Sequence, residues 1–213
     1  MSGTTGAASA TGGRPRRVLC LNAGSSSLKA ARFDEDPDRP GAPGPCTRRL
    51  LVERIGTDTA EGATVSATGP GGPTVDRRPT HAADHVAALG TVLELLDEGD
   101  EVDVVAHRVV HGGPLVTDHV LVDDRVLALL RDAVPFAPLH LPAELDLIDA
   151  TRARVRVPQA AGPAPAFHRT MLPEARRLPV PARLDAAGVR RYGFHGLSYE
   201  HLVDRLGADL GRR

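Results

Sequence analysis

The sequence predicts an α/β fold with a mixed sheet. Short apolar runs of strand length alternate with longer stretches at helical spacing. The first two runs flank a tight Gly/Ser turn and so form an antiparallel hairpin at the head of the chain. The composition is that of an ordinary globular protein, with 41% hydrophobic and 25% charged residues over 213 positions.

The elements follow in order. Residues 1–16 are small and polar, bury too little to offset their ordering entropy, and are expected to form a disordered tail. Arg17–Leu21 is a strand, Gly24 and three serines are its turn, and Leu28–Phe33 is the return. Residues 34–46, rich in Asp, Pro and Gly, are expected to form a surface loop. Leu50–Ile55 and Ala63–Ala67 are further strands, closed by the turn-forming Gly69-Pro70-Gly71-Gly72-Pro73. Val86, Leu89, Leu93 and Leu96 recur at helical spacing, which predicts a helix over Thr80–Glu98 stopped by Gly99. Val102–Val110 is strand-like around a polar Arg108 and ends at Gly112-Gly113-Pro114. Asp123 or Asp124 caps a helix through Leu127, Leu130 and Val134, and Pro142 opens another that carries Leu145 and Ile148. The prolines of 158–165 argue against a central strand there, because proline removes ladder donors. Val189–Phe194 is expected as a short strand and Leu197–Leu210 as a final amphipathic helix. No internal repeat is visible.

Charge and cysteine usage narrow the function. Basic residues number 26 and acidic residues 27, for a net charge of −1. Such a balance argues against a nucleic-acid binder with a basic face and supplies no bulk attraction to an anionic membrane. No stretch is apolar for long enough to span a bilayer. Two cysteines cannot build a disulfide scaffold and point to a reducing compartment. The N-terminus lacks the apolar core of a secretory signal, so a cytoplasmic location is expected.

One segment stands out. Lys29 is the only lysine among the 26 basic residues, and Asn22 is the only asparagine. Both lie in Asn22-Ala23-Gly24-Ser25-Ser26-Ser27-Leu28-Lys29. In a chain that otherwise uses arginine for positive charge, a compact ammonium here points to a close-contact role.

Four segments line up in order: Val18 to Lys29; His107-Arg-Val-Val-His-Gly-Gly113; Phe136-Ala-Pro-Leu-His140; and Arg190-Arg-Tyr-Gly-Phe-His-Gly196. Together they resemble acetate kinase and its propionate and butyrate relatives. The resemblance implies a fold of the actin, sugar-kinase and heat-shock-ATPase type. That fold has two similar α/β domains around a cleft, and it usually works as a homodimer. Residues 17–165 would be the first domain and 166–213 the start of a truncated second. The implied reaction converts ATP and acetate, or another short-chain carboxylate, to ADP and the acyl phosphate with magnesium.

The chemistry suits the residues. Phosphoryl transfer is largely positioning and charge neutralisation. A carboxylate is already ionised at neutral pH, so the nucleophile needs positive charge in a water-poor cleft rather than a base. A guanidinium fork matches a carboxylate, and by resemblance Arg108 holds the substrate carboxylate. His195 matches the histidine that stabilises the transferring phosphoryl group, and His140 matches a second active-site histidine. Ser25, Ser27 and Lys29 are placed on the nucleotide phosphates and Asn22 near magnesium. Val110, Leu139 and Phe194 match the acyl pocket. One methylene in such a pocket is worth only about 1–3 kcal/mol, which leaves acetate and propionate undecided.

Two histidine pairs have metal-like spacing. His81-Ala-Ala-Asp-His85 lacks the glutamate of a zinc protease and is expected on an exposed helix face. His107 and His111, four apart on a strand, would stand about 13 Å from each other, too far to share an ion.

The chain departs from the family in two respects. The aspartate of the pattern Phe-Asp-Thr-Ala-Phe-His is replaced by Ala164. The later elements of the family, including a glycine-rich phosphate loop and the adenosine pocket, are absent. Little activity is therefore expected of this chain alone. A non-catalytic remnant, a carboxylate-binding module and one half of a split kinase stay open as alternatives.

Overall fold

In the computed structural model, residues 14–36, 43–57, 62–96 and 101–211 are described. Alternation in β1 (Arg17–Ala23) orients the sheet: Leu19, Leu21 and Ala23 are buried, while Cys20 and Asn22 face the opposite side. The strands that follow are β2 (Ser27–Glu35), β3 (Pro43–Glu53), β4 (Ala63–Gly69), β5 (Gly72–Thr80), β6 (Val104–Val109), β7 (Val120–Leu121) and β8 (Gln159–Pro163). They form one sheet in the order β5-β4-β3-β2-β1-β6-β8-β7. The first five strands make an antiparallel meander, β1, β6 and β8 run parallel, and β7 pairs antiparallel with β8. The sheet is mixed, as expected.

Helices α1 (His85–Glu94), α2 (Asp124–Asp132) and α3 (Leu141–Arg154) supply the packing layer. Asp84 caps α1 by accepting from Ala87 N, and Asp123, one of the two candidate residues, caps α2 by accepting from Val126 N. Pro142 lies in the first turn of α3. The buried side chains fall into two clusters. The larger gathers Leu19, Leu21, Leu28, Leu50, Val52 and Val65 of the meander with Leu89 and Val92 of α1 and Leu147 of α3. The smaller joins Val109, Leu127, Leu130, Leu141 and Ile148. Three short helices, α4 (Pro173–Arg176), α5 (Ala182–Ala186) and a 3-10 segment at Ala164–Thr170, lead to α6 (Gly196–Asp209).

Several expectations need correction. Residues 34, 35 and 43–46 belong to β2 and β3, so both strands run into the expected loop; its middle, 37–42, lies outside the described residues. The helix expected from Thr80 begins only at His85, because residues through Thr80 form β5. That strand is at the sheet edge, where Pro73 and Pro79 and a run of charged side chains are tolerated. The expected stop at Gly99 lies outside the described residues, as do residues 1–13 of the expected tail. Arg14 and Arg16 pair with Asp103 and Glu35.

The proline-rich stretch does form a strand, β8, between β6 and β7. Its prolines sit at the margins: Pro158 precedes it and accepts from Val105 N, and Pro163 is its last residue. Gln159–Gly162 retain their donors, and β7 covers only two residues of the far edge. Val189–Phe194 is irregular rather than a strand. Gly188 and Gly193 take left-handed φ of 87° and 82°, which breaks extended geometry.

Candidate functional site

Strand register brings the site together. Asn22 pairs with Lys29 across the hairpin, and Leu21 pairs with His107 of β6. The next residues, Asn22 and Arg108, therefore continue one row across the sheet, at the carboxyl ends of two parallel strands. Crevices at such ends are the usual ligand positions in α/β sheets. Here Asn22, Arg108, Ala164, His195, Leu197, Ser198, His201 and Leu202 line a hollow of about 550 Å³.

His195 enters from the far wall. Its φ of 55° is left-handed, and its carbonyl accepts from Ser198 N and Tyr199 N at the start of α6. The following Gly196 is required by close approach: a Cβ there would fall 2.0 Å from Ala164 O and 2.9 Å from Phe167 Cβ. Ala164, which follows the last residue of β8, is thus packed directly against the start of the helix that follows His195. His168 Nε2 donates to Phe194 O at 2.9 Å and braces the same turn.

Arg108 is held from behind. Its Nη1 donates to Glu144 Oε1 at 3.0 Å, while Glu144 Oε2 accepts from Val110 N at 2.8 Å. Glu144 is 2% exposed. Burial pushes its carboxyl up to about 7, against the opposing pull of the Val110 N–H and the Arg108 guanidinium. Sequence reasoning missed this residue. Its signal was a lone acid on the apolar face of α3, at helical spacing from Leu141 and Ile148.

The two histidines of the β6 motif are packed inside. His107 Nε2 lies 2.8 Å from Gln159 Oε1, and desolvation holds its imidazole down to about 4 although that hydrogen bond works in the other direction. His111 Nδ1 accepts from Gly113 N, and its ring stacks on Phe136 and meets the edge of Tyr192. Burial lowers its basicity too. His111 thereby ties three of the four sequence motifs into one cluster, a role the sequence did not disclose.

The other predicted residues are more scattered. Ser25 is exposed and Ser27 half-buried in the hairpin turn, where Gly24 N donates to Ser27 O. His85 Nε2, 2.7 Å from Gly24 O, anchors that turn to α1. His85 is buried, which corrects the expected exposed helix face; His81 lies before the helix. Lys29 lines a second hollow of about 500 Å³ on the open sheet face, which shares Asn22 with the first. His140 is the exposed N-cap of α3. Val110 is buried in the smaller core cluster, while Leu139 and Phe194 are 87% and 63% exposed. None of His140, Val110, Leu139 and Phe194 lines the hollow that holds Arg108.

The hollow does not suit magnesium. Mg²⁺ takes oxygen ligands in octahedral geometry, usually with one or two carboxylates. Asn22 offers one amide oxygen, no carboxylate lines the hollow, and Ala164 presents a methyl group. Among the described residues no group of three or more His, Cys, Asp or Glu could hold a metal ion.

The sequence and the fold are both shared with known proteins. The sequence model of the Acetokinase family matches residues 17–213. An acetate kinase of Streptomyces avermitilis is 41% identical over 208 residues, 93% of this chain and 49% of the relative. One of Caldanaerobacter subterraneus is 37% identical over 206 residues, 92% of this chain and 49% of the relative. The crystal structure of Porphyromonas gingivalis acetate kinase superimposes with a TM-score of 0.76 at 31% identity, and that of a Francisella tularensis propionate kinase with 0.76 at 26%. Each covers 93% of this chain and 50% of the solved one. The chain therefore spans about half the length of the curated relatives it matches.

Proposed function

The chain belongs to the Acetokinase family, and from that premise we propose that it supplies the carboxylate-binding and phosphoryl-facing part of a phosphotransferase. The reaction moves the γ-phosphoryl group of ATP to acetate or another short-chain carboxylate and yields ADP and an acyl phosphate. A carboxylate oxygen forms the new P–O bond as the bond to the β-phosphate oxygen breaks. The observation that carries this reading is the shared hollow of Asn22, Arg108 and His195.

Arg108 offers N–H donors to the carboxylate and offsets its repulsion from the phosphoryl group. His195 donates to a phosphoryl oxygen from the opposite wall. Ser25, Ser27 and Lys29 serve the nucleotide phosphates, with the ammonium as a point charge. Magnesium has no part in these roles, because the described residues lining the hollow do not make its site. Val110, Leu139 and Phe194 lie outside the hollow, so the acyl chain is assigned no pocket.

Ala164 favours a second reading, in which the chain binds the carboxylate without transferring phosphate. Titration of ¹³C-acetate into the purified chain, followed by line width, tests the shared element of both. Broadening that disappears in Arg108→Ala is expected, and equal behaviour of the two proteins overturns the carboxylate site. A coupled assay for acyl phosphate on the same samples then separates the kinase reading from the binding reading.

A further inference from the structure

We propose that Glu144 is the positioning residue of the carboxylate site, gripping Arg108 by one Nη so that the rest of its fork points into the hollow. This rests on the reading of Arg108 as the group that meets the substrate carboxylate.

Arginine has a long side chain with several rotatable bonds, and holding it in one orientation costs side-chain entropy. A carboxylate bound by a wandering guanidinium would have to offset that cost on arrival. In this structure the ordering is done beforehand. Glu144 bridges two donors two positions apart in sequence: Arg108 Nη1 at 3.0 Å and Val110 N at 2.8 Å. The second bond fixes the carboxylate to the end of β6, so the grip is referenced to the strand that carries Arg108.

The geometry separates Glu144 from the ligand side. Its side chain is 2% exposed, whereas that of Arg108 is 29% exposed. Glu144 does not line the hollow, and Arg108 does. Glu144 also sits in the first turn of α3, where the positive end of the helix dipole favours a carboxylate. The acid thus pulls Arg108 back without competing from inside the cavity. It also tempers the charge of the guanidinium. A free, fully positive Arg108 would attract any anion, whereas a paired one rewards a ligand that matches its remaining donors. An amide at this position cannot do the same work. Gln has an acceptor oxygen on one arm and a donor NH₂ on the other, and Arg108 and Val110, which meet the two arms separately, both present donors.

Side-chain ¹⁵N NMR on the whole chain tests the pairing without any ligand. In the wild type at pH 8, where Glu144 is ionised, the Arg108 Nη protons are expected as separate resonances, because the bond to Glu144 slows rotation. In Glu144→Gln they are expected to average. Arg108 signals already averaged in the wild type, or unchanged in a folded Glu144→Gln, overturn the proposal. Where Glu144→Gln does not fold, Glu144→Asp, which keeps the charge and shortens the reach, takes its place with the same expectation. If neither folds, the wild-type spectrum decides. Acetate added to the same samples is expected to shift the Arg108 resonances with an apparent affinity at least about 10-fold weaker in Glu144→Gln. Equal affinity overturns the positioning role. No acetate response in the wild type overturns the carboxylate reading alone, and leaves the pairing result standing.

Discussion

Two buried ionisable groups next to Arg108 pull stability in opposite directions as pH changes. Glu144 titrates at about 7 in the fold against 4.5 for an ordinary glutamate. The folded state keeps this proton longer, so its contribution is complete below pH 4.5 and is lost as pH rises through 7. His107 titrates at about 4 against 6.5. Its contribution is complete above pH 6.5 and is lost as pH falls through 4. Each slope is about 1.4 kcal/mol per pH unit, so between pH 4.5 and 6.5 they largely cancel. Glu144→Gln removes one of them. Its stability is expected to climb by about 3 kcal/mol across that range while the wild type stays nearly level. Urea midpoints at several pH values check this, and parallel curves for the two proteins would refute it. Position 164 permits a second experiment. Ala164 lines the hollow beside Asn22, so Ala164→Asp adds a carboxylate where one amide oxygen now stands. The variant is expected to bind Mn²⁺ measurably more tightly than the wild type, read from paramagnetic broadening of hollow resonances.

The joint between β8 and α6 has a different vulnerability. Gly196 lets the helix start against Ala164 and Phe167, and a Cβ has no room there. Gly196→Ala is expected to cost about 1–3 kcal/mol as overpacking. The damage should be local: amide exchange rises in α6 and in 164–170, while β1, β2 and β6 keep their protection. Uniform loss of protection across the sheet would show that α6 folds as one unit with it. Much of this joint was legible in part. The segment ending in Gly196 was visible as a motif, and the amphipathic helix after it was expected at nearly its observed bounds. The strand that feeds it was not, because prolines at its ends suggested a coil. Local propensity counts the prolines, but only pairing shows that they fall where ladder donors are not needed.

Helix α6 leaves apolar side chains in water over the described residues. Val203 and Leu206, with Leu210 just past its end, are all more than half exposed, and Leu202, also half exposed, faces the hollow. Such a contiguous face is a place where a second surface binds. The isolated chain is therefore expected to self-associate at high concentration, with Val203→Glu and Leu206→Glu together reducing it. Sedimentation velocity over a concentration series checks this, and a monomer at every concentration would argue against it. Among the described residues no helix is long and apolar enough to cross a membrane.

Residue type and order were enough to identify an α/β sheet opened by a hairpin, to put the start of α2 at Asp123 or Asp124 and that of α3 at Pro142, and to mark Asn22 and Lys29 as distinctive, while Arg108 and His195 were marked by the family resemblance of their motifs. These features depend on neighbours in the chain, where side-chain pattern and capping act directly. The rest depended on which strands pair. Parallel pairing of β1 with β6 aligned Asn22 with Arg108, pairing of β6 with β8 brought Ala164 to the same edge, and packing of α3 set Glu144 behind the guanidinium. Contacts between residues that are 36 to 86 positions apart leave no local pattern, because the partner that satisfies a buried donor is chosen by the folded path of the backbone.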